Sequence, residues 1–332
     1  MSERTAHTID DVCEAITARQ RFIVTSHARP DGDAIGSQMA MAVALQQLDK
    51  EVCVVNADPP PAPCRSLPAV ETITIAQAVG AESDAVVTLE CGNLARTGLA
   101  GLDGRFLINI DHHVGNSLYG DVNWFDESAA ACGEMVFDLL AALGVDLTAD
   151  MATHLYVAIL TDTGSFHHGH ISPRTFDTCR ALAAAGADPT ALARQMFDQY
   201  TIGRLRLTGA VLGGMQLTGA NRLAVLSIDD AMLETAGAGL GDLDGLVNMP
   251  LSASVVEAVV LFKAASGEPL RVSLRSTGAV DVRAVAAAYG GGGHVNAAGF
   301  TLNDADADGR DGVLRRVVEA IDAAHDDMDG GA

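Results

Sequence analysis

Three separated stretches of the sequence combine histidine with acidic residues, the side chains that most often bind divalent metal ions. Their candidate ligand residues are His27, Asp31 and Asp33 in the first, Glu90 in the second, and Asp111, His112 and His113 in the third. Carboxylates mixed with imidazoles suit Mn²⁺, Mg²⁺ or a similar divalent ion. Because such ions activate water and neutralise phosphoryl charge, the three stretches indicate metal-assisted hydrolysis.

The elements that must position these residues are short strands. An apolar run precedes each stretch, at residues 22–24, 86–89 and 106–108. Short β-branched runs bounded by turn residues predict buried parallel strands. In open α/β sheets, ligands bind beyond the carboxyl ends of the strands, so we expect the three stretches to meet at one edge of a sheet.

Within the first stretch, Pro30 and Gly32 predict a turn that lets the heads of several ligands converge. Asp31 and Asp33 are also well suited to cap the helix predicted over residues 34–48. Capping is the better interpretation of either residue alone. The presence of His27 and of two more ligand-bearing strand ends favours the metal site.

The third stretch places three ligand types at one strand end. Adjacent side chains point in different directions, so one of His112 and His113 can bind metal while the other faces the substrate. Asp111 is suited to orient a ligating imidazole through a hydrogen bond. Asp162 lies at the end of a helix predicted over residues 150–160, and this position fits either a ligand or an ordinary helix end.

Two further groups of residues have competing interpretations. His167, His168 and His170 precede Pro173, and we expect them to be solvated loop residues rather than ligands. Arg271 and Arg275 alternate with apolar residues along a predicted strand. By itself, this pattern fits a solvent-exposed strand face as well as a substrate-binding one. The glycine run 290–293 before His294 favours anion binding, because glycine lets backbone N–H groups approach an anion closely.

Composition narrows the class of protein. The chain has 332 residues and 48% hydrophobic residues, enough for two cores. Its net charge of −22 argues against an extended binding surface for long DNA or RNA, because sequence-independent affinity for nucleic acid needs many Lys and Arg residues. The six cysteines show no framework spacing, and we find neither a signal pattern nor an apolar run of about 18 residues. We therefore expect a soluble cytoplasmic protein without membrane contact.

The order of the predicted elements indicates two α/β domains. Strand-like and helix-like segments alternate from about residue 8 to 185, the signature of a parallel sheet with helices on both faces. We predict this domain over residues 1–187 and a helical linker over 188–210. A smaller α/β domain follows over residues 211–332, and it ends in an acidic tail from residue 303.

Four motifs together resemble those of the DHH/DHHA1 phosphoesterases. They are Ser26 to Ser37, Asp111-His112-His113, Thr161-Asp162-Thr163-Gly164, and Gly291-Gly292-Gly293-His294 with Ala297-Ala298-Gly299. The resemblance covers nearly the whole chain and keeps the family order. Within that family, the size and layout are most similar to the NrnA-type bifunctional oligoribonucleases and 3′-phosphoadenosine-5′-phosphate phosphatases.

The resemblance implies a role for each motif. The implied metal ligands are His27, Asp31, Asp33, Glu90, His112 and Asp162. They would hold two divalent ions, Mn²⁺ first and Mg²⁺ or Co²⁺ as alternatives. Catalytic roles fall to His113, which would face the scissile phosphate, and to Asp111. The implied substrate-binding residues are Arg96, Arg271, Arg275, Gly292, Gly293 and His294. A homodimer is also expected from the resemblance.

The implied function is hydrolysis of short oligoribonucleotides to mononucleotides, and of 3′-phosphoadenosine-5′-phosphate to AMP. A phosphodiesterase for linear or cyclic dinucleotides is one alternative, because a linear dinucleotide is a two-nucleotide RNA. A nucleotide-binding module with an impaired site is the other, because the family usually has Asp where this chain has Glu90 and because of Asn93. The Gly-Gly-Gly-His motif argues against a family II pyrophosphatase. The absence of a basic groove in the sequence disfavours a processive exonuclease.

Overall fold

The computed structural model describes residues 5–80, 82–243, 245–264, 269–302 and 307–329, with side chains to residue 325. The chain divides into two compact units, Met1–Gln199 and Tyr200–Ala332. The predicted linker consists of two helices, Pro189–Phe197 in the first unit and Ile202–Gly213 in the second. The predicted boundaries at residues 187 and 210 stay predictions.

The first unit is built on a sheet of six parallel strands in the order β3-β2-β1-β4-β5-β6. These strands are β1 (Arg21–Thr25), β2 (Glu51–Asn56), β3 (Thr74–Ile75), β4 (Ala85–Leu89), β5 (Leu107–Asp111) and β6 (Val122–Phe125). The predicted α/β class with a parallel sheet is confirmed. The chain moves outward from β1 to β3 and then returns to β4 on the other side of β1, so the topological switch point lies between β1 and β4.

Six helices accompany this sheet: α1 (Ile9–Thr17), α2 (Gly32–Gln47), α3 (Cys132–Ala142), α4 (Ala149–Asp162), α5 (Pro173–Ala184) and α6 (Pro189–Phe197). All six contribute to one hydrophobic core against the face that carries Phe22 and Val24. The opposite face, with Ile23 and Val86, packs against loops and a 3-10 turn, and no α-helical residue of the described chain joins that cluster. The expectation of helices on both faces is therefore wrong, because the connections after β4 and β5 form loops.

Small residues bring α2, α3 and α4 close together. A Cβ atom on Gly32 would collide with the side chain of Thr161, and one on Gly36 would collide with the backbone carbonyl of His154. A Cβ atom on Gly133 would come within 2.5 Å of the Cβ atom of Ala158. This close packing carries the acidic ends of α2 and α4 to the same place at the carboxyl edge of the sheet.

We predict that Gly36→Ala destabilises the first unit by about 1–3 kcal/mol, because the added methyl group forces α2 away from α4. Thermal unfolding of the metal-free protein measures this effect. Gly209→Ala is the matched control, because Gly209 lies in a helix with open space around its Cβ position. There the substitution should be neutral or stabilising by up to about 1 kcal/mol. An equal response of both variants would contradict the packing argument.

The second unit contains a mixed sheet in the order β11-β12-β10-β9-β8-β7. Its strands are β7 (Gln216–Thr218), β8 (Leu223–Asp229), β9 (Ala258–Ala264), β10 (Leu270–Ser276), β11 (Gly292–His294) and β12 (Ala297–Leu302). Its helices are α7 (Ile202–Gly213), α8 (Asp230–Ala236), α9 (Val282–Ala287) and α10 (Ala307–Asp329). Within the predicted acidic tail, residues 303–306 and 330–332 lie outside the described residues. Among the described helices, none combines the length and apolar content that a bilayer span requires.

Candidate metal centre

His27 and Asp31 form a pair at the end of β1. The Nε2 atom of His27 lies 3.6 Å from Oδ2 of Asp31. The Nδ1 atom of His27 lies 2.9 Å from the carbonyl oxygen of Ala28, which leaves Nε2 as the nitrogen available to an ion. The other oxygen of Asp31, Oδ1, accepts a hydrogen bond from the backbone N–H of Ala34 and caps α2. Asp31 therefore serves as a helix cap and still has one oxygen free for a ligand.

Asp33 does not cap its own helix. Its carboxylate accepts hydrogen bonds from the backbone N–H groups of Cys132 (2.7 Å) and Gly133 (3.0 Å), at the amino end of α3, and from the hydroxyl of Ser37 (2.6 Å). The side chain is almost fully buried. The amino end of a helix attracts negative charge, so α3 holds this buried carboxylate in place.

His112 lies at the centre of the acidic cluster. Its Nε2 atom is 3.0 Å from Oε1 of Glu90, 3.5 Å from Oδ2 of Asp162 and 4.0 Å from Oδ2 of Asp33. Its Nδ1 atom lies 3.0 Å from the carbonyl oxygen of Ala129. Donation from Nδ1 to this carbonyl fixes the tautomer whose Nε2 lone pair can bind an ion.

Two groups of ligand atoms share this histidine. Glu90, His112 and His113 form one group, and Asp33, His112 and Asp162 form the other, with all ligand atoms of each group within 4.8 Å of one another. The Oε1 atom of Glu90 is buried and has no assigned hydrogen-bond partner among the described residues, although it lies 3.0 Å from Nε2 of His112. An unpaired buried carboxylate oxygen is costly, and a divalent cation would satisfy it. The donor set therefore fits divalent metal ions.

The backbone at Glu90 has a left-handed conformation with φ of 59°. A non-glycine residue pays a steric cost for this conformation, which often marks a functional site. The conformation follows directly after β4, and it places the carboxylate between the two histidines: Oε2 of Glu90 lies 3.4 Å from Nδ1 of His113. The longer side chain, noted as a departure from the family pattern, thus still reaches both imidazoles.

Asp111 positions His113. Its Oδ1 atom lies 2.9 Å from Nδ1 of His113, and its Oδ2 atom accepts a hydrogen bond from the amide of Asn116. Asp111 is fully buried, whereas the side chain of His113 is 39% exposed. Burial alone would raise the pKa of Asp111, but the bonds from His113 and Asn116 hold it below its usual value. These contacts support the predicted orienting role of Asp111 and leave His113 accessible.

Arg96 provides a cation at the edge of the cluster. It lies on the 3-10 turn Leu94–Thr97, which Asn93 caps, and it is exposed. Its carbonyl oxygen accepts a hydrogen bond of 2.7 Å from the N–H of Ala28, which ties this turn to the His27 segment. Burial would lower the pKa of His27, but its contacts with Asp31 and the carbonyl of Ala28 raise it, against the opposing positive charge of Arg96. Arg96 is thus placed where a cation would attract an anionic substrate.

The clustered carboxylates shift the protonation of the site. Burial and the nearby charge of Asp33 raise the pKa of Glu90 well above its usual value, and the same two causes raise that of Asp162 to about 6. Burial alone would lower the pKa of His112, but Glu90 and Asp33 raise it to about 10. In the metal-free protein, the side chains of this site therefore hold protons, and bound metal ions would replace those protons.

We predict that Mn²⁺ affinity rises with pH. Groups with a raised pKa stay protonated up to that pKa, so an ion must displace a proton from His112 at neutral pH and from Asp162 as well below pH of about 6. Isothermal titration calorimetry in buffers of different ionisation enthalpy counts the released protons. We expect about one proton or more at pH 7 and a larger number at pH 5.5. Binding without proton release would contradict this account.

The predicted substrate residues of the second unit lie on its sheet. Arg271, Ser273 and Arg275 alternate with buried residues along β10, as predicted. Arg275 is paired with Ala297 of β12, which is paired with His294 of β11, so Arg275 and His294 lie in one row across three strands. Part of the glycine run forms the edge strand β11. No side chain of this unit belongs to either ligand group of the described residues.

Sequence reasoning missed the support that residues 126–134 give to this site. The carbonyl of Ala129 holds His112, and the amino end of α3 holds Asp33. Glu134, in the third position of α3, accepts a hydrogen bond from the N–H of Ala130. A Glu at that position of a helix is a capping signal and could have drawn attention to this segment. The exposed residues His167, His168 and His170 join neither ligand group.

Comparison with known proteins places this geometry in a family. Residues 21–159 match the DHH family, N-terminal domain, and residues 222–326 match the DHHA1 domain. The chain is 36% identical over 301 residues to the bifunctional oligoribonuclease and PAP phosphatase NrnA of Thermus thermophilus, covering 90% of this chain and 88% of that one. The chain belongs to the DHH/DHHA1 family. This confirms the resemblance inferred from the four motifs.

Two other members extend the comparison. A probable bifunctional oligoribonuclease and PAP phosphatase NrnA of Streptococcus mutans is 28% identical, with 86% of this chain and 90% of that one covered. The crystal structure of an exopolyphosphatase-related protein from Bacteroides fragilis superposes with a TM-score of 0.83 at 26% identity, covering 94% and 95% of the two chains. The DHH/DHHA1 architecture of this chain is therefore shared over nearly the full length of its relatives.

Proposed function

We propose that this DHH/DHHA1 protein is a metal-dependent phosphoesterase that hydrolyses short oligoribonucleotides to mononucleotides and 3′-phosphoadenosine-5′-phosphate to AMP. The observation that carries the proposal is the pair of ligand groups sharing His112. The similarity to NrnA of Thermus thermophilus over most of both chains supports the substrate class. The high negative charge of the chain supports short substrates over long ones.

We assign two divalent ions, Mn²⁺ first, to this site. His27, Asp31, Asp33, Glu90, His112 and Asp162 are the proposed ligands. When bound, such ions supply Lewis-acid chemistry, polarising phosphoryl oxygens and acidifying the attacking water. His112 has one lone pair for one ion, and the carboxylates of both ligand groups lie around it, so the acidic side chains support a site for a second, neighbouring ion.

The remaining proposed residues orient the substrate and offset its negative charge. Nδ1 of His113 is engaged by Asp111, so its Nε2 atom is the one left to donate to a phosphoryl oxygen. Arg96 adds a positive charge at the rim of the site. Arg271, Arg275, Gly292, Gly293 and His294 remain the proposed substrate-binding residues of the second unit.

A substrate panel tests the proposal. The full chain with Mn²⁺ is incubated separately with pGpG, another 5′-phosphorylated dinucleotide, a long RNA, 3′-phosphoadenosine-5′-phosphate and pyrophosphate. We expect the dinucleotides and 3′-phosphoadenosine-5′-phosphate to be consumed, and the long RNA and pyrophosphate to persist. Exclusive cleavage of pyrophosphate, or dinucleotide binding without hydrolysis, would defeat the proposal.

A further inference from the structure

One segment contacts two of the proposed metal ligands on opposite sides. The β6–α3 segment, residues 126–133, offers the carbonyl oxygen of Ala129 to Nδ1 of His112 at 3.0 Å. A few residues later, the N–H groups of Cys132 and Gly133 bind both oxygens of Asp33 at 2.7 and 3.0 Å. A displacement of this segment would therefore misorient an imidazole and a carboxylate at the same time.

Acidic side chains at the two ends of the β6–α3 segment accept hydrogen bonds from its residues. The Oδ1 atom of Asp126 accepts hydrogen bonds from the N–H and hydroxyl of Ser128, at 3.0 and 2.6 Å. The Oε2 atom of Glu134 accepts a bond of 3.0 Å from the N–H of Ala130. Ala129, Ala130 and Ala131 are buried, so they have little freedom to adopt another path.

Arg174 of α5 joins these acidic side chains from outside the segment. Its Nη1 atom binds Oδ2 of Asp126 at 2.9 Å and lies 3.8 Å from Oε2 of Glu134. Its Nη2 atom binds Oδ2 of Asp138, on α3, at 2.7 Å. One planar guanidinium thus fixes the start of the segment relative to the helix that ends it, a geometry that suits arginine.

The charge of Arg174 matters because Glu134 is fully buried, and its Oε1 atom has no hydrogen-bond partner among the described residues. A buried carboxylate that loses its cation is left uncompensated, which favours a change in its position. Such a change acts on the N–H of Ala130, next to the carbonyl that holds His112. The proposed chemistry uses none of these three residues, Arg174, Glu134 and Asp126.

We propose that Arg174 is a positioning residue of the metal centre, which acts by holding the β6–α3 segment against His112 and Asp33. This inference rests on the proposed metal site. Arg174 touches neither of these ligands among its described contacts. Its effect is on the orientation of the ligands, and this effect is measured by metal affinity.

The test compares Arg174→Gln with wild type by calorimetric titration with Mn²⁺ alone. Substitutions in the shell that orients metal ligands weaken binding about 10–100-fold, and we expect a loss in this range. Arg174→Lys should recover part of the affinity, because lysine keeps the charge and loses the fork. Arg180→Gln is the matched control, since Arg180 lies on the same helix, is exposed and makes only a 3.8 Å ion pair with Asp177.

Two further readouts separate positioning from a general loss of stability. Raising the Mn²⁺ concentration should restore dinucleotide turnover in Arg174→Gln, and unchanged circular dichroism and melting temperature of the metal-free variant would show that its lower affinity is not a fold defect. Trp124, the single tryptophan, lies two residues before Asp126, where the β6–α3 segment begins, so its fluorescence reports on this segment. We expect its response to Mn²⁺ to shift to higher concentration in parallel with the calorimetric affinity.

Wild-type Mn²⁺ affinity in Arg174→Gln would overturn the inference. If that variant does not fold, Asp126→Asn carries the test, with an expected severalfold loss of affinity and the same overturning result. A wild-type protein that binds Mn²⁺ but hydrolyses no substrate would defeat the proposed function alone. A wild-type protein that takes up no Mn²⁺ would defeat both proposals.

Discussion

Replacing His112 with alanine is expected to lower kcat/KM for a dinucleotide by about 10³-fold or more, which corresponds to about 4 kcal/mol of transition-state stabilisation. His112 is the only residue that belongs to both ligand groups of the described chain, so its loss removes one proposed ligand and the imidazole around which the acidic ligands are arranged. Mn²⁺ affinity should fall by more than about 10²-fold, because even residues that merely orient ligands contribute about that much. Calorimetry and steady-state kinetics measure the two effects.

The control for this variant is His170→Ala. His170 is exposed, follows the metal-site helix in a loop and belongs to neither ligand group. We expect its kinetics and metal affinity to match those of wild type. Circular dichroism should show unchanged secondary structure in both variants. Full turnover of His112→Ala with added Mn²⁺ would disprove the proposed site.

Replacing Glu90 with glutamine should have opposite effects on activity and stability. The carboxylate of Glu90 contacts His112 and His113, so its loss should lower kcat/KM by about 10²–10³-fold. In the metal-free protein, however, Glu90 is a buried acid beside Asp33, and both burial and this charge oppose its ionisation. Removing a buried charge is often stabilising where its burial and the repulsion from Asp33 outweigh its attraction to His112. Sites built for function commonly show this exchange of stability for activity.

The sign of the pH dependence follows from the raised pKa of Glu90. A carboxyl group whose pKa is higher in the folded protein costs stability as the pH rises above its unfolded value of 4.5. The gain of Glu90→Gln should therefore be absent at pH 4 and present at pH 8, at about 1 kcal/mol, or about 2–4 °C in melting temperature. These melts are measured with a metal chelator present.

Glu71→Gln serves as the matched control, because Glu71 is exposed on a 3-10 turn away from the ligand groups. It should change neither melting temperature nor activity. A metal-free Glu90→Gln that melts below wild type at pH 8 would show that the Glu90 carboxylate stabilises the fold. The interpretation of the metal-free site as a cluster of mutually repelling carboxylates, which bound cations would stabilise, would then be wrong.

Much of the first unit could be predicted because its signals are local. The strands at residues 22–24, 86–89 and 106–108 occur where the apolar runs predicted them, and their carboxyl ends meet at one edge. The helix predicted over residues 34–48 spans Gly32–Gln47. In the second unit, the largely apolar run 255–262 begins before the strand Ala258–Ala264 that it overlaps, since an apolar run alone does not mark where hydrogen bonding begins.

Other features depend on residues far apart in the chain. Asp33 looks like a cap of the helix that follows it, yet its partners are Cys132 and Gly133, nearly 100 residues away. The glycine run before His294 looks like an open loop, yet part of it pairs with β12 as an edge strand. Periodicity and spacing carry no information about such partners, because each of them is chosen by packing.

The sequence by itself determined the candidate ligand residues of this protein, the strand ends that carry them and the family they resemble. The tertiary structure decided how these residues are grouped. It places His112 in both ligand groups, Asp33 at the amino end of α3, and Arg174 against the β6–α3 segment that contacts His112 and Asp33. The reason is physical. Residue types and local turns fix what a side chain can bind, whereas burial, charge repulsion and helix packing fix which side chains meet.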